Sequence, residues 1–349
     1  MAAFWFSLDV SVSYAAVMVE VGGTRARPSL AAAARLVADA RKQQIGSFTD
    51  PKYGLLLALD LMDVKTEDLE PGHRLMAQII ADTHARGLRN AELIVADADL
   101  TALIDVAAPS MPDQILLADD PIAPHGLLLW ATPLPDRTGQ EPVVPIEMMS
   151  WTTVEPGDPM LHGDQVTGVL ITAYVGVHAL MLAMGVQPPA VVPRYVANAT
   201  VMWIVGTPIG SAFGRTPGTD GSSEPGFYQR ALAAFWTLAK QPLTQEHDSD
   251  RPMPVNRKRF ARAGVLNPGA PVRLISLRHA AREKIEPGEE TGRHVTVRYI
   301  VNPYWRDTYY GKEGVHRQQL VAGSVRGPAG APLKGGEKVL LVTGKDFKP

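Results

Sequence analysis

The sequence predicts an α+β protein: a mixed α/β N-terminal body followed by a small, mostly β C-terminal domain. Three observations carry this. Segments of helical and of strand period follow one another without the even spacing of βαβ units. The charge balance changes sign along the chain. Residues 1–250 hold 15 Lys+Arg against 28 Asp+Glu, a balance of −13, whereas 251–349 hold 19 against 8, a balance of +11. A polar stretch containing Pro252 and Pro254 lies at the change. With 349 residues, 46% of them hydrophobic, the chain suits two folded domains. The expected division is an acidic α+β body at 1–241, a proline-containing linker and basic cluster at 242–262, and a basic, aromatic-rich β module at 263–349.

The elements follow in order. Leu8, Val10, Val12 and Tyr14 alternate with polar residues, as in a half-buried strand. Ser29 is placed to cap a helix whose face is Leu30, Ala33, Ala34, Val37 and Ala40, ending near Gly46. A second helix runs from about Pro71 to Ala85, with Leu75, Ile79 and Ile80 inward. Strands are expected at Ile115–Ala118, Gly126–Thr132, Val143–Val154 and Thr200–Val205.

Between Asp164 and Arg194 there is no charged residue, and Val166–Val186 is long enough to span a bilayer. Gly168, Gly176, Gly185 and the central His178 interrupt it, and no close basic residue flanks it, so a buried strand followed by a buried helix is expected. Residues 206–226 are rich in turn formers. A helix with Tyr228, Ala231, Leu232, Phe235 and Leu238 on one face then ends before Pro242. Beyond the basic cluster Arg257, Lys258, Arg259 and Arg262, strands are expected at Val272–Leu277, His294–Val301, Gln319–Val325 and Lys338–Thr343.

Several chemistries are disfavoured. The chain has no cysteine, so it has no disulfide, no Cys-ligated metal and no thiol nucleophile, which fits a cytoplasmic protein. The first residues lack a basic n-region, and Asp9 breaks the apolar run, so no signal peptide is read. No Lys follows Gly210 or Gly214, so the glycine-rich stretch is not a phosphate loop. There is no G-x-S-x-G elbow. Metal signals are thin: Asp158, His162 and Asp164 on one loop, His73 and His84 on one helix, and the pairs Asp97/Asp99 and Asp119/Asp120. No metal and no cofactor are expected.

The distinctive stretch runs from Arg293, RHVTVRYIVNPYWRDTYYGKEGVHRQQLVAGSVRGP. Tyr299, Tyr304, Trp305, Tyr309 and Tyr310 offer flat faces for stacking, and Arg298, Arg306, Lys312, Arg317 and Arg326 offer charge for phosphates. The competing reading makes Trp305 and some tyrosines the core of a small β domain, with arginines packed on them. His316, beside Arg317 and near Glu313, is the most plausible acid–base residue.

The segments Tyr304-Trp305-Arg306, Tyr309-Tyr310, His316-Arg317, Arg326-Gly327-Pro328 and Ala331-Pro332-Leu333 carry a resemblance. Over roughly 55 residues the chain resembles a group of uncharacterised proteins from actinobacteria and their phages and plasmids, with a C-terminal HWR-x-Q-x-Y…GP-x-x-x-P-L pattern. Tyr304 stands where that pattern has His. The resemblance implies a mobile-element context and no particular activity. The function expected is therefore a non-catalytic, nucleic-acid-binding accessory protein with nucleic acid or another polyanion as partner. The alternatives are a metal-independent hydrolase using the His316 region, and an interaction or homo-oligomerisation module in which basic module meets acidic body. No membrane partner is expected.

Overall fold

The computed structural model describes residues 30–62, 64, 69–137, 142–161, 165–188, 192–214, 226–252, 254–278, 299–301, 303–310, 314–321 and 323–326. The expected strands around residues 7–14 and 338–343 lie outside these. The chain is α+β, with a mostly β C-terminal part.

Three helices come first: α1 (Leu30–Thr49), α2 (Tyr53–Leu61) and α3 (Pro71–Asn90). A reciprocal cap between Glu70 and His73 starts α3, and Pro71 at its first position has no N–H to leave unpaired. Leu75, expected inward, is 65% exposed, because α3 turns Ala77, Ile80, Ala81, His84 and Leu88 to the core instead. A strand β1 (Glu92–Ala96) and helix α4 (Ala98–Ala107) follow, both unanticipated. Asp97 is the N-cap of α4, accepting from Leu100 N at 2.7 Å. Of the expected strand at 115–118 only a single bridge, Ile115 to Pro208, forms.

The body is built on one eight-stranded sheet with the order β6-β5-β4-β3-β2-β1-β8-β7. Its remaining strands are β2 (His125–Leu134), β3 (Ile146–Val154), β4 (Gly168–Gly176), β5 (Tyr195–Ile204), β6 (Ala212–Gly214), β7 (Thr244–Asp248) and β8 (Arg273–Leu277). β1 runs parallel to β2 and β8, and the other pairings are antiparallel. One face packs on α1–α3 through Val37, Ala81, Leu88, Val95, Leu127 and Tyr174. The other packs on α4 and on α6 (Phe227–Ala239) through Ile104, Trp130, Trp151, Trp203, Phe235 and Trp236. β4 is buried along its whole length, which is why it reads as an unbroken apolar run. The helix after it, α5 (Val177–Ala183), buries only Met181, so the buried helix expected there is largely surface. No described helix is long and apolar enough to cross a membrane.

Close approach dictates one glycine. A Cβ on Gly87 would lie 1.8 Å from Thr152 Oγ1, so α3 can settle on β3 only because Gly87 has no side chain.

Residues 242–262 are not the linker the polarity suggested. They hold β7 and the helix α7 (Pro254–Arg262), and β8, expected in the C-terminal module, pairs with β1 in the body's sheet. β7 is polar because it is an edge strand with one side in water. Arg273 on β8 ties the three strands together, donating to Glu246 on β7 at 2.6 and 2.8 Å and to Glu92 on β1 at 2.6 Å.

Among its described residues the C-terminal part has two small antiparallel pairs. One joins β9 (Tyr299–Val301) to β12 (Ser324–Arg326), and the other joins β10 (Tyr304–Tyr310) to β11 (Val315–Val321).

Candidate nucleic-acid interface

The register of the β10–β11 hairpin sorts its side chains. Trp305 faces Leu320, Asp307 faces Gln318, and Tyr309 faces His316. Alternation along each strand puts these three pairs on one face. Tyr304, Arg306, Thr308 and Tyr310, with Val321, Gln319 and Arg317, occupy the other.

The first face docks at its Trp305–Leu320 end, while Asp307, Tyr309 and His316 at its other end stay exposed. Leu320 is 2% exposed and belongs to the core shared by α4 and α6, and Trp305 packs against that core. The indole of Trp305 donates from Nε1 to the carbonyl of Ala107 at 3.0 Å, at the end of α4. Arg317 donates from Nη2 to Asp119 Oδ2 of the body at 3.1 Å. Asp119 and Asp120 also present their backbone carbonyls to Lys240 Nζ. Burial holds the Asp120 carboxyl above the usual range, opposed by its hydrogen bond from Leu117 N, and burial holds Lys240 below its own. Opposite charge thus joins the basic hairpin to the acidic body within one chain.

Trp305 and Arg317 therefore hold the hairpin to the body and are not turned to a ligand. What remains in water is Tyr304, Tyr309 and Tyr310, at 44%, 59% and 38% exposure, together with Arg306 and His316. Gln319 Oε1 accepts from Arg306 Nη2 at 3.1 Å and from Thr308 Oγ1 at 3.2 Å, which fixes the guanidinium beside the tyrosines. Tyr304, Arg306 and Tyr310 line the outer face, with Thr308 between the last two. At ~3.3 Å per residue its two tyrosines stand about 20 Å apart. Arg298 and Lys312 lie outside the described residues, and of Arg326 only the backbone, in β12, is described.

Glu313 lies outside the described residues; within them His316 meets Asp307, whose Oδ2 stands 2.9 Å from Nδ1. The Tyr309 ring lies over the imidazole, with centroids 5.0 Å apart. The pairing was hidden because Asp307 and His316 are nine residues apart and meet only once the hairpin register is known.

The other sequence candidates are dispersed. His84 is fully buried, stacked on Phe48 at 4.5 Å with Nδ1 3.2 Å from Thr172 Oγ1, far from the exposed start of α3 where His73 sits. Asp158 pairs with Arg86, and His162 and Asp164 lie outside the described residues. Among the described residues no three His or carboxylate side chains form a metal-binding group.

No protein-family model matches this chain, and no curated protein matches it.

Proposed function

We propose that the chain binds single-stranded nucleic acid, without turnover, on the outer face of the β10–β11 hairpin, and that the α+β body serves as its mount. One observation carries the reading. Tyr304, Arg306 and Tyr310 share an exposed face of a hairpin whose other face is held to the body at one end, through Trp305 and Leu320. Tyrosine faces supply stacking of about 1–3 kcal/mol per base, and Arg306, positioned by Gln319, supplies a phosphate contact. The test is fluorescence anisotropy of a labelled oligonucleotide against the full chain over a range of salt. Salt-sensitive binding that weakens in Tyr304→Ala and Tyr310→Ala is the expected result. No binding at low salt to DNA, RNA or polyphosphate refutes the proposal.

A second reading has its own observation, the Asp307–His316 contact. A carboxylate on Nδ1 orients an imidazole so that Nε2 can act as a base, the arrangement a metal-independent hydrolase needs. Oligonucleotide cleavage that persists in chelator and disappears in His316→Ala supports it over simple binding.

A further inference from the structure

On the side of the sheet away from the hairpin, a cleft of about 640 Å³ opens between α1 and α7, over the start of β1 and β8. Its floor is apolar, formed by Ala34, Ala38, Leu93 and Val272. Arg41 lines it too, and only 3% of Arg41 is exposed.

A buried guanidinium ordinarily has a carboxylate. Arg41 has none. Its Nη1 donates to Ala91 O at 3.1 Å, its Cζ lies 5.9 Å from the centroid of the Phe260 ring, and among the described residues Nε has no partner. The nearest acid along α1, Asp39, pairs with Arg259 at 3.2 Å. Burial alone, with no compensating acid, draws the Arg41 guanidinium down to about 10. Among the described residues the Nε–Nη2 edge, the fork that takes both oxygens of a carboxylate side-on, makes no hydrogen bond.

We propose that this cleft binds a small organic carboxylate with a flat or apolar body, its carboxylate drawing the buried Nε–Nη2 edge of Arg41 toward the cleft and its body against Phe260 and the alanine floor. Around Arg41 the lining sets Arg35 and Arg251 against Asp39, Asp248 and Asp250, so it adds no net attraction for a second negative charge, whose desolvation would go uncompensated, and a monoanion is favoured.

The test titrates benzoate into the full chain, with benzamide as the neutral isostere and phenyl phosphate as the dianion. Binding is read by ligand-observed NMR and by thermal shift. Benzoate is expected to bind saturably, and benzamide and phenyl phosphate roughly tenfold more weakly or worse. Arg41→Lys keeps the charge but not the fork, and weakens benzoate about tenfold. Asn256→Trp, a half-buried α7 position at the cleft, obstructs it with Arg41 untouched, and should lower affinity while circular dichroism stays unchanged. Absence of saturable benzoate binding, equal affinity for benzamide, tighter binding of phenyl phosphate, or indifference to both substitutions overturns the proposal.

Discussion

The indole N–H of Trp305 reaches the last carbonyl of α4, at Ala107, 198 positions earlier in the chain. The bond shares with Ser110 Oγ a helix-end acceptor that has no partner inside the helix. With Leu320 opposite, it fixes which face of the hairpin meets the body and hence which face meets solvent.

Trp305→Ala should therefore act on stability. Trp305 is half-buried, so a loss of about 2 kcal/mol is expected, below the 3–5 typical of a fully buried aromatic. Trp305→Phe retains much of the packing and should lose about 1 kcal/mol for the hydrogen bond. Urea denaturation followed by circular dichroism measures both. Equal stability of Trp305→Ala and the parent would mean that the hairpin is not held by this contact.

Arg306 and Arg317 give a paired test of the interface. Arg306 is exposed on the outer face, whereas Arg317 already answers Asp119. In single-strand binding each lost phosphate contact flattens the slope of log K against log salt by about 0.7. Arg306→Ala should show that change, and Arg317→Ala a smaller one. The reverse order would place the nucleic acid along Arg317 and displace the assignment made here.

The sequence announced α1, α3, β2, β3, β4 and α6 because each has a clear period or run and recognisable ends. It did not announce α2, where Tyr53–Leu61 is apolar on nearly every side and shows no period. β1 was missed because five residues between two helices make a weak strand signal. β7 was mistaken for linker because TQEHD is the composition of a loop as much as of a wet edge strand. At the hairpin, residue types pointed to the right segment. They did not separate Trp305 from Tyr304, because neighbouring residues in a strand point to opposite faces and only the docking partner says which is inside.

Acid should weaken the fold through His84. Burial depresses its pKa from 6.5 to about 3. An unfolded chain takes up a proton on His84 as pH falls below about 6.5, and the folded chain resists until about pH 3. Its contribution is thus fully present above pH 6.5 and is lost as pH falls toward 3, with a slope approaching 1.4 kcal/mol per pH unit, an upper bound of about that size. His125 is displaced in the same direction, chiefly by burial, and adds to the trend. Comparing urea midpoints of the parent and His84→Leu from pH 7 to 4 cancels the carboxylates common to both. The difference should shrink or change sign as pH falls, and a constant difference would show that His84 does not titrate in this way.

The last prediction concerns where the body ends. β8 lies between β1 and β7, so removing it uncovers the edge of β1, a parallel strand buried from Leu93 to Ala96, whose Leu93, Ile94 and Val95 have no polar face to show water. A fragment ending at 262 lacks β8 and the Arg273 contacts to Glu92 and Glu246. It should aggregate, whereas one ending at 278 should remain folded. Arg273→Ala in the full chain separates the ion pairs from the strand itself. Both carboxylates are about half exposed, so water screens the pairs and the expected loss is only about 1 kcal/mol. Arg273 holds the Glu246 carboxyl below its usual pKa, so the pair's stabilisation is present at neutral pH and lost as pH falls through that lowered value. Size-exclusion chromatography of the two fragments reads the outcome. Equal solubility at 262 and at 278 would show that β8 is dispensable to the body's sheet.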